Sequence, residues 1–290
     1  MAGFCLLAAC SKESVDRVTN EQTLVPVTVH VSDFNVTQED FSGGTTRAAQ
    51  NVVDYSGIKA ITLAFYAADD MQQYKTTQLK EDASTYTTFG EFSLQLPKGS
   101  YTMVVIANGF ETGDELAVNS PTEALYTGAH VRETFVATQA VNITSTSSVE
   151  LSATLNRIVS KLQVISTDGR AANVTNIRMT FSAGGKDFNP STGFAISDFG
   201  FANTVGGTGT TGNISVATSY VFLATDEQNI NVTIETLDAD QNVINSTTVN
   251  NVPFKRNRVT KLVGAMYPTA GTAASFTVNT DWLEDHDVDF

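Results

Sequence analysis

Thiols are almost missing from this sequence. Its 290 residues contain two cysteines, Cys5 and Cys10, both within the first ten positions. The remainder can therefore hold no disulfide, no cysteine-ligated zinc and no cysteine nucleophile, and its stability has to come from packed apolar cores. Positive charge is scarce too. Lys and Arg number 17 against 31 Asp and Glu, a net charge of -14, and a surface of that sign repels phosphates, which argues against a nucleic-acid partner. No run approaches the ~20 apolar residues of a membrane-spanning helix, so attachment to a membrane would have to be through lipid. Trp282 is the one tryptophan, a poor endowment for a sugar-stacking surface. Neither a Gly-x-Ser-x-Gly elbow nor a zinc-type histidine spacing occurs, and His30, His130 and His286 read as surface residues. No catalytic residue, metal ligand or cofactor is expected. Gly207-x-Gly209-x-x-Gly212 matches the dinucleotide fingerprint only in letters, because a strand rather than a helix is expected after it.

What is present is alternation. Val25, Val27, Val29 and Val31 alternate with Pro26, Thr28, His30 and Ser32, a period of two that marks a strand with one buried face. Pro26 suits an edge strand or a strand start. Ser42-Gly43-Gly44-Thr45-Thr46-Arg47 lacks apolar periodicity and reads as an exposed loop. Strands resume with Ile61, Leu63 and Phe65, then Phe92, Leu94 and Leu96, then Tyr101 to Ala107. The Pro97-Lys98-Gly99 turn between the last two predicts a β-hairpin. Asn119 to Tyr126 has room for one short helix. Later strands are expected around Ile177 to Phe181, Ile230 to Ile234, Val243 to Val249, Val259 to Tyr267 and Phe276 to Trp282. Asp281, Glu284, Asp285, Asp287 and Asp289 read as a solvated acidic tail.

Near the middle the alternation changes phase. Val149, Leu151, Ala153 and Leu155 are odd-numbered, whereas Ile158, Leu162 and Val164 are even-numbered. A one-residue slip turns every side chain to the other face, so a passage between two cores is expected near Asn156-Arg157. Chain length also favours two cores over one. The expected organisation is residues 1-9 as the remnant of a longer signal, 10-23 as a tether, 24-154 as a first β-sandwich and 155-290 as a second.

Three stretches resemble a known family. Leu7-Ala8-Ala9-Cys10, before polar Ser11-Lys12-Glu13, resembles a bacterial lipoprotein signal, in which Cys10 takes the lipid after cleavage. Leu155-Asn156-Arg157-Ile158-Val159-Ser160-Lys161-Leu162 resembles the Leu-x-Arg-x-Val-Ala-Lys-Ile segment of Bacteroidetes fimbrillin-like proteins, with Ser160 in place of alanine. Asn251-Val252-Pro253 through Gly264, with Phe276 to Trp282, is similar to their C-terminal signature. The resemblance implies an all-β chain of two consecutive Greek-key, transthyretin-like β-sandwiches and a non-enzymatic fimbrial or adhesive subunit on the outer membrane. It also implies cleavage between Arg47 and Ala48, loss of the strand bearing Val25, Val27, Val29 and Val31, and β-strand addition between fimbrial subunits. The candidate donor strand carries Phe276, Val278, Thr280 and Trp282. A host or bacterial surface ligand is a further expected partner. The rivals are a lipid-anchored glycan-binding module, which needs exposed aromatic platforms, and a small secreted hydrolase, which needs a cleft pairing carboxylates or a histidine.

Overall fold

The computed structural model describes residues 23-35, 50-207, 212, 214-267 and 275-279. The period-two stretches become strands as expected, nineteen among the described residues, with one short 3-10 turn at Ala83–Thr85. Among the described residues no helix is long and apolar enough to cross a membrane.

The first half contributes β1 (Leu24–Asn35), β2 (Gln50–Asn51), β3 (Ala60–Ala67), β4 (Gln72–Leu79), β5 (Glu91–Pro97), β6 (Gly99–Asn108), β7 (Leu116–Ser120), β8 (Glu123–Tyr126), β9 (Thr134–Ile143) and β10 (Val149–Arg157). Strands β5-β1-β10 form one layer and β9-β6-β3-β4 the other. The layers touch at one corner, where Asn156 and Arg157 of β10 pair with Val136 and Phe135 of β9. Between them lies a core that includes the four β1 valines, Ile61, Leu63, Phe65, Phe92, Leu96 and Leu155.

The second half contributes β11 (Val159–Ser166), β12 (Asn176–Phe181), β13 (Asp187–Phe188), β14 (Phe201–Gly206), β15 (Ile214–Phe222), β16 (Glu227–Leu237), β17 (Val243–Lys255), β18 (Val259–Ala265) and β19 (Ser275–Asn279). Its layers are β15-β11-β18-β19 and β14-β12-β16-β17, closed over Leu162, Val164, Met179, Phe181, Val232 and Phe254. The wiring of the first half recurs. In each half the first strand lies parallel to a late strand, β1 to β10 and β11 to β18, and antiparallel to another, β5 or β15. Both are Greek-key β-sandwiches, the fold class expected from the resemblance.

A third sheet, β13-β8-β7, joins the halves, since β8 from the first pairs with β13 from the second. It covers Ala64, Tyr66, Val104 and Ile106 on the outer face of β3 and β6 in a cluster that also takes in Phe188 and Phe222. Tyr126 and Phe188 both stack on Phe222.

Two local expectations change. Asn119 to Tyr126 is not a helix but the β7-β8 hairpin, with Leu116 paired to Tyr126, because alternate Val118, Ala124 and Tyr126 are buried against that cluster. The turn at Pro97-Lys98-Gly99 is real, yet β5 and β6 do not pair. β5 runs beside β1 while β6 runs between β3 and β9, so the turn carries the chain from one layer to the other.

Candidate functional site

The strand expected to be displaced is β1. It lies between two strands rather than at an edge. Residues Leu24 to His30 pair antiparallel with Pro97 to Glu91 of β5, and residues from Val27 to Asn35 pair in parallel with Val149 to Asn156 of β10, with a register shift between His30 and Asp33. Pro26 sits before the β10 ladder begins at Val27, so its missing amide costs nothing on that side and it marks a strand start. Val25, Val27, Val29 and Val31 are between 0% and 3% exposed, and their β-branched side chains suit a pleated, half-buried surface. Opposite them stand Leu96, Leu94 and Phe92 on β5, with Val149 and Leu151 on β10. The Val31 amide donates to the Gly90 carbonyl at 2.8 Å. Gly90 has φ of +91°, and a Cβ there would lie 2.6 Å from the Val31 carbonyl oxygen, so only glycine lets the chain close over β1 at this point.

The outward face of β1 is polar. The ring nitrogens of His30 lie 3.1 Å from the Glu150 carboxylate on β10 and 3.5 Å from that of Glu91 on β5. Beyond the register shift, Asp33 and Phe34 pair with Asn51 and Gln50 of β2. Residues 36-49, which contain Arg47 and Ala48, thus join two strands that pair with one another, β1 and β2. Cys10, Arg47 and Ala48 themselves lie outside the described residues, as do Thr280, Trp282 and His286.

The other half of the expected constellation is β19. It pairs antiparallel with β18, Phe276 against Gly264 and Val278 against Leu262, and Phe276 and Val278 pack partly buried against the second core. The structure therefore does not bring β1 and β19 together. The chain before β19 is pinned by Asp168, whose carboxylate accepts the Met266 and Tyr267 amides at 2.8 and 2.9 Å and the Ser166 hydroxyl at 2.6 Å. Burial pushes that carboxyl up, but the hydrogen bonds from Ser166, Met266 and Tyr267 outweigh it and hold it below its ordinary 3.8.

Two buried polar clusters were not anticipated. Arg157, with its side chain 3% exposed, pairs with Glu133 at 2.8 Å. It also donates to the Asn257 side-chain Oδ1 and the Tyr55 hydroxyl, each at 3.1 Å, and lies 4.8 Å from the centroid of the Phe135 ring. Burial and the Glu133 carboxylate push the Tyr55 hydroxyl above its usual value. The signal was present as the arginine between the two phases of alternation, where a charge in an apolar run needs a partner. His130 is not a plain surface residue either. Its Nδ1 lies 2.8 Å from Asp114 and its Nε2 3.0 Å from the Thr204 carbonyl on β14, and Arg132 also reaches Asp114. Asp114, His130 and Arg132 lie within 18 residues of one another, but the Thr204 carbonyl that completes the cluster is 74 residues away, and no periodicity links them.

No group of three or more His, Cys, Asp or Glu side chains placed to hold a metal occurs among the described residues. Two open clefts of about 500 and 530 Å³ have Glu227, Arg258 and Pro253 in one wall and Asp69, Lys98 and Tyr101 in the other. Each has a single carboxylate and no histidine in its lining.

An all-β chain of two Greek-key sandwiches joined by a third sheet, with its first strand seated between two others, has the fold class that the sequence motifs implied. More particularly, the chain belongs to the family of unknown function DUF6562, whose model matches residues 21–289. No curated protein matches the sequence. Among solved structures, a candidate adhesin of Bacteroides ovatus is similar over 90% of this chain and 95% of its own, with 9% identity and a TM-score of 0.54. A candidate adhesin of Bacteroides thetaiotaomicron is similar over 90% and 97%, with 10% identity and a TM-score of 0.50. The fimbrial anchor protein Mfa2 of Porphyromonas gingivalis covers 88% and 97%, with 11% identity and a TM-score of 0.47.

Proposed function

We propose that this chain is a non-enzymatic structural or adhesive subunit of a bacterial surface fimbria, lipid-anchored through Cys10 on the outer membrane and assembled by strand exchange after cleavage between Arg47 and Ala48. What carries the reading is the seat of β1. Once freed from the chain behind it, β1 leaves a slot with a backbone ladder on either side, β5 and β10, and four valine places at its floor. Filling those places stabilises by roughly 1.5 to 3 kcal/mol per side chain, and two unpaired strand edges invite a strand from another chain. The C-terminal segment with Phe276, Val278, Thr280 and Trp282 is the strand this chain would give. Among the described residues β19 has one ladder in its own sandwich, to β18, whereas a slot of the β1 kind offers two. The adhesin descriptions of similar folds agree with a surface role. A glycan-binding role has less support, because Phe199 is the single aromatic among the large exposed apolar side chains of the described residues, which makes no stacking platform.

The experiment is Arg47→Ala in the native host. Loss of the shortened mature band and of surface polymer is expected, with the lipidated precursor accumulating. Unchanged processing and assembly would sink the strand-exchange reading.

A further inference from the structure

The slot beneath β1 has a charge requirement as well as a shape. Its outer rim carries Glu91 on one wall and Glu150 on the other, both more than half exposed. His30 of β1 lies between them, within 3.5 Å of one and 3.1 Å of the other. Two carboxylates facing one strand position disfavour an acid there and favour a base. The floor is equally particular. Val25, Val27, Val29 and Val31 are sealed at 0% to 3% exposure, and in a packed interior a place shaped to valine accepts an aromatic ring only by displacing its neighbours.

The chain's own C-terminal segment answers neither demand. A strand keeps one parity toward the floor. With Phe276, Val278 and Trp282 facing down, the residues facing out are Ser275, Thr277, Asn279, Asp281, Leu283, Asp285, Asp287 and Asp289. None is basic in any register or in either direction. In the register that sets Phe276 at the Val25 place, running as β1 runs, Asp281 falls at the His30 place. The one residue after Ser275 that can carry positive charge, His286, has floor parity.

Resting on the strand-exchange reading above, we infer that this slot takes its strand from a different polypeptide, not from a second copy of this chain. That strand has small β-branched residues at alternate positions and a lysine, arginine or histidine facing out between Glu91 and Glu150. The two glutamates are specificity determinants for the incoming strand, and this chain passes its own acidic C-terminal strand to an acceptor whose rim lacks them. Assembly at this subunit is then a junction between unlike subunits.

The test uses the full chain with a cleavable sequence set in place of Thr45 to Ala48, cut after folding. It is then challenged with labelled peptides spanning residues 24–35 in three forms, unchanged, His30→Lys and His30→Asp, and with the peptide of residues 275–286. Replacement of the resident strand is followed by native mass spectrometry at low and high salt. The lysine peptide is expected to enter at least as well as the unchanged one. The aspartate peptide should enter roughly three- to tenfold less well at low salt, the deficit shrinking at high salt. The 275–286 peptide should be at least about tenfold weaker than the lysine peptide. Changing Glu91→Gln together with Glu150→Gln should erase the difference between lysine and aspartate. Entry of residues 275–286 as readily as the lysine peptide overturns the inference, as does equal entry of the lysine and aspartate forms. Failure of every peptide to enter counts instead against strand exchange itself. In that event the charge requirement is read in the intact chain. There His30→Asp should unfold about 2 to 4 °C below His30→Lys at low salt, with no gap in the double glutamine background, and equal midpoints overturn it.

Discussion

Arg157 shows how much a single residue can decide here. It closes β10 at the point where the chain passes from the first core to the second, and its guanidinium gathers Glu133, Tyr55 and Asn257, residues drawn from both halves. Arginine suits the place because its planar fork serves several acceptors at once while its charge sits over the Phe135 ring. Replacing both charges by well-packed apolar groups could be neutral, but removing one leaves the other buried and unpaired. Arg157→Ala is therefore expected to cost about 3 to 5 kcal/mol, measured as a lowered urea midpoint. Glu133→Gln in the Arg157→Ala background should recover part of the loss. From sequence alone Arg157 was visible as a charge between two alternating runs, and the change of phase around it, from Leu155 to Ile158, falls where β10 gives way to β11. Its partners were not visible, because Tyr55 and Asn257 lie about a hundred residues away in either direction and no local pattern links them. Cys10 and Arg47 lie outside the described residues, and the roles proposed for them rest on the sequence.

At the scale of single elements, the strands with one wet face were the easy ones to read. β5 and the valine part of β1 alternate cleanly, buried and less buried, because only one side of each meets a core. β3 and β6 were legible as strands but not in their second role. Ala64, Tyr66, Val104 and Ile106 face away from the first core and are nonetheless buried, since the β7-β8-β13 sheet lies over them. The same unforeseen layer turns the expected helix at Asn119 to Tyr126 into a hairpin. Inferring a hairpin from turn residues holds around Leu237 to Val243, where β16 and β17 do pair. It fails at Pro97 to Gly99, because turn chemistry fixes a reversal of the chain and not which sheet receives it. β19 is lightly held, with five residues and, among the described residues, one ladder. Its approach is steadied by Asp168 at the Met266 and Tyr267 amides. The Asp168 carboxyl titrates below its ordinary 3.8 in the folded chain. The native state therefore binds its proton less readily than the unfolded one, and the contribution is complete above the ordinary carboxylate range and lost as pH falls through the depressed value. Asp168→Asn should raise hydrogen exchange at Met266, Tyr267 and β19 near neutral pH. It should also flatten the dependence of that exchange-derived stability on pH below about 4.

At the scale of the whole molecule, the order in which strands meet is written into the wiring. β3, β4, β6 and β9 form antiparallel pairs in which several partners are close along the chain. β1, by contrast, is parallel to β10, the last strand of its sandwich, so nearly the whole first sandwich must be strung together before β1 has both neighbours. Closing so long a loop delays the contact relative to the hairpins around it. In refolding followed by pulsed hydrogen exchange, amides of β3 and β6 should gain protection first and those of β1 last. Protection of β1 ahead of β6 would contradict this order. On that order the place beside β10 that β1 takes is among the last to be filled. Whichever strand is nearest at that moment has the advantage. A covalent connection keeps β1 at high effective concentration, so as long as the chain is whole its own strand outcompetes a stranger for that place.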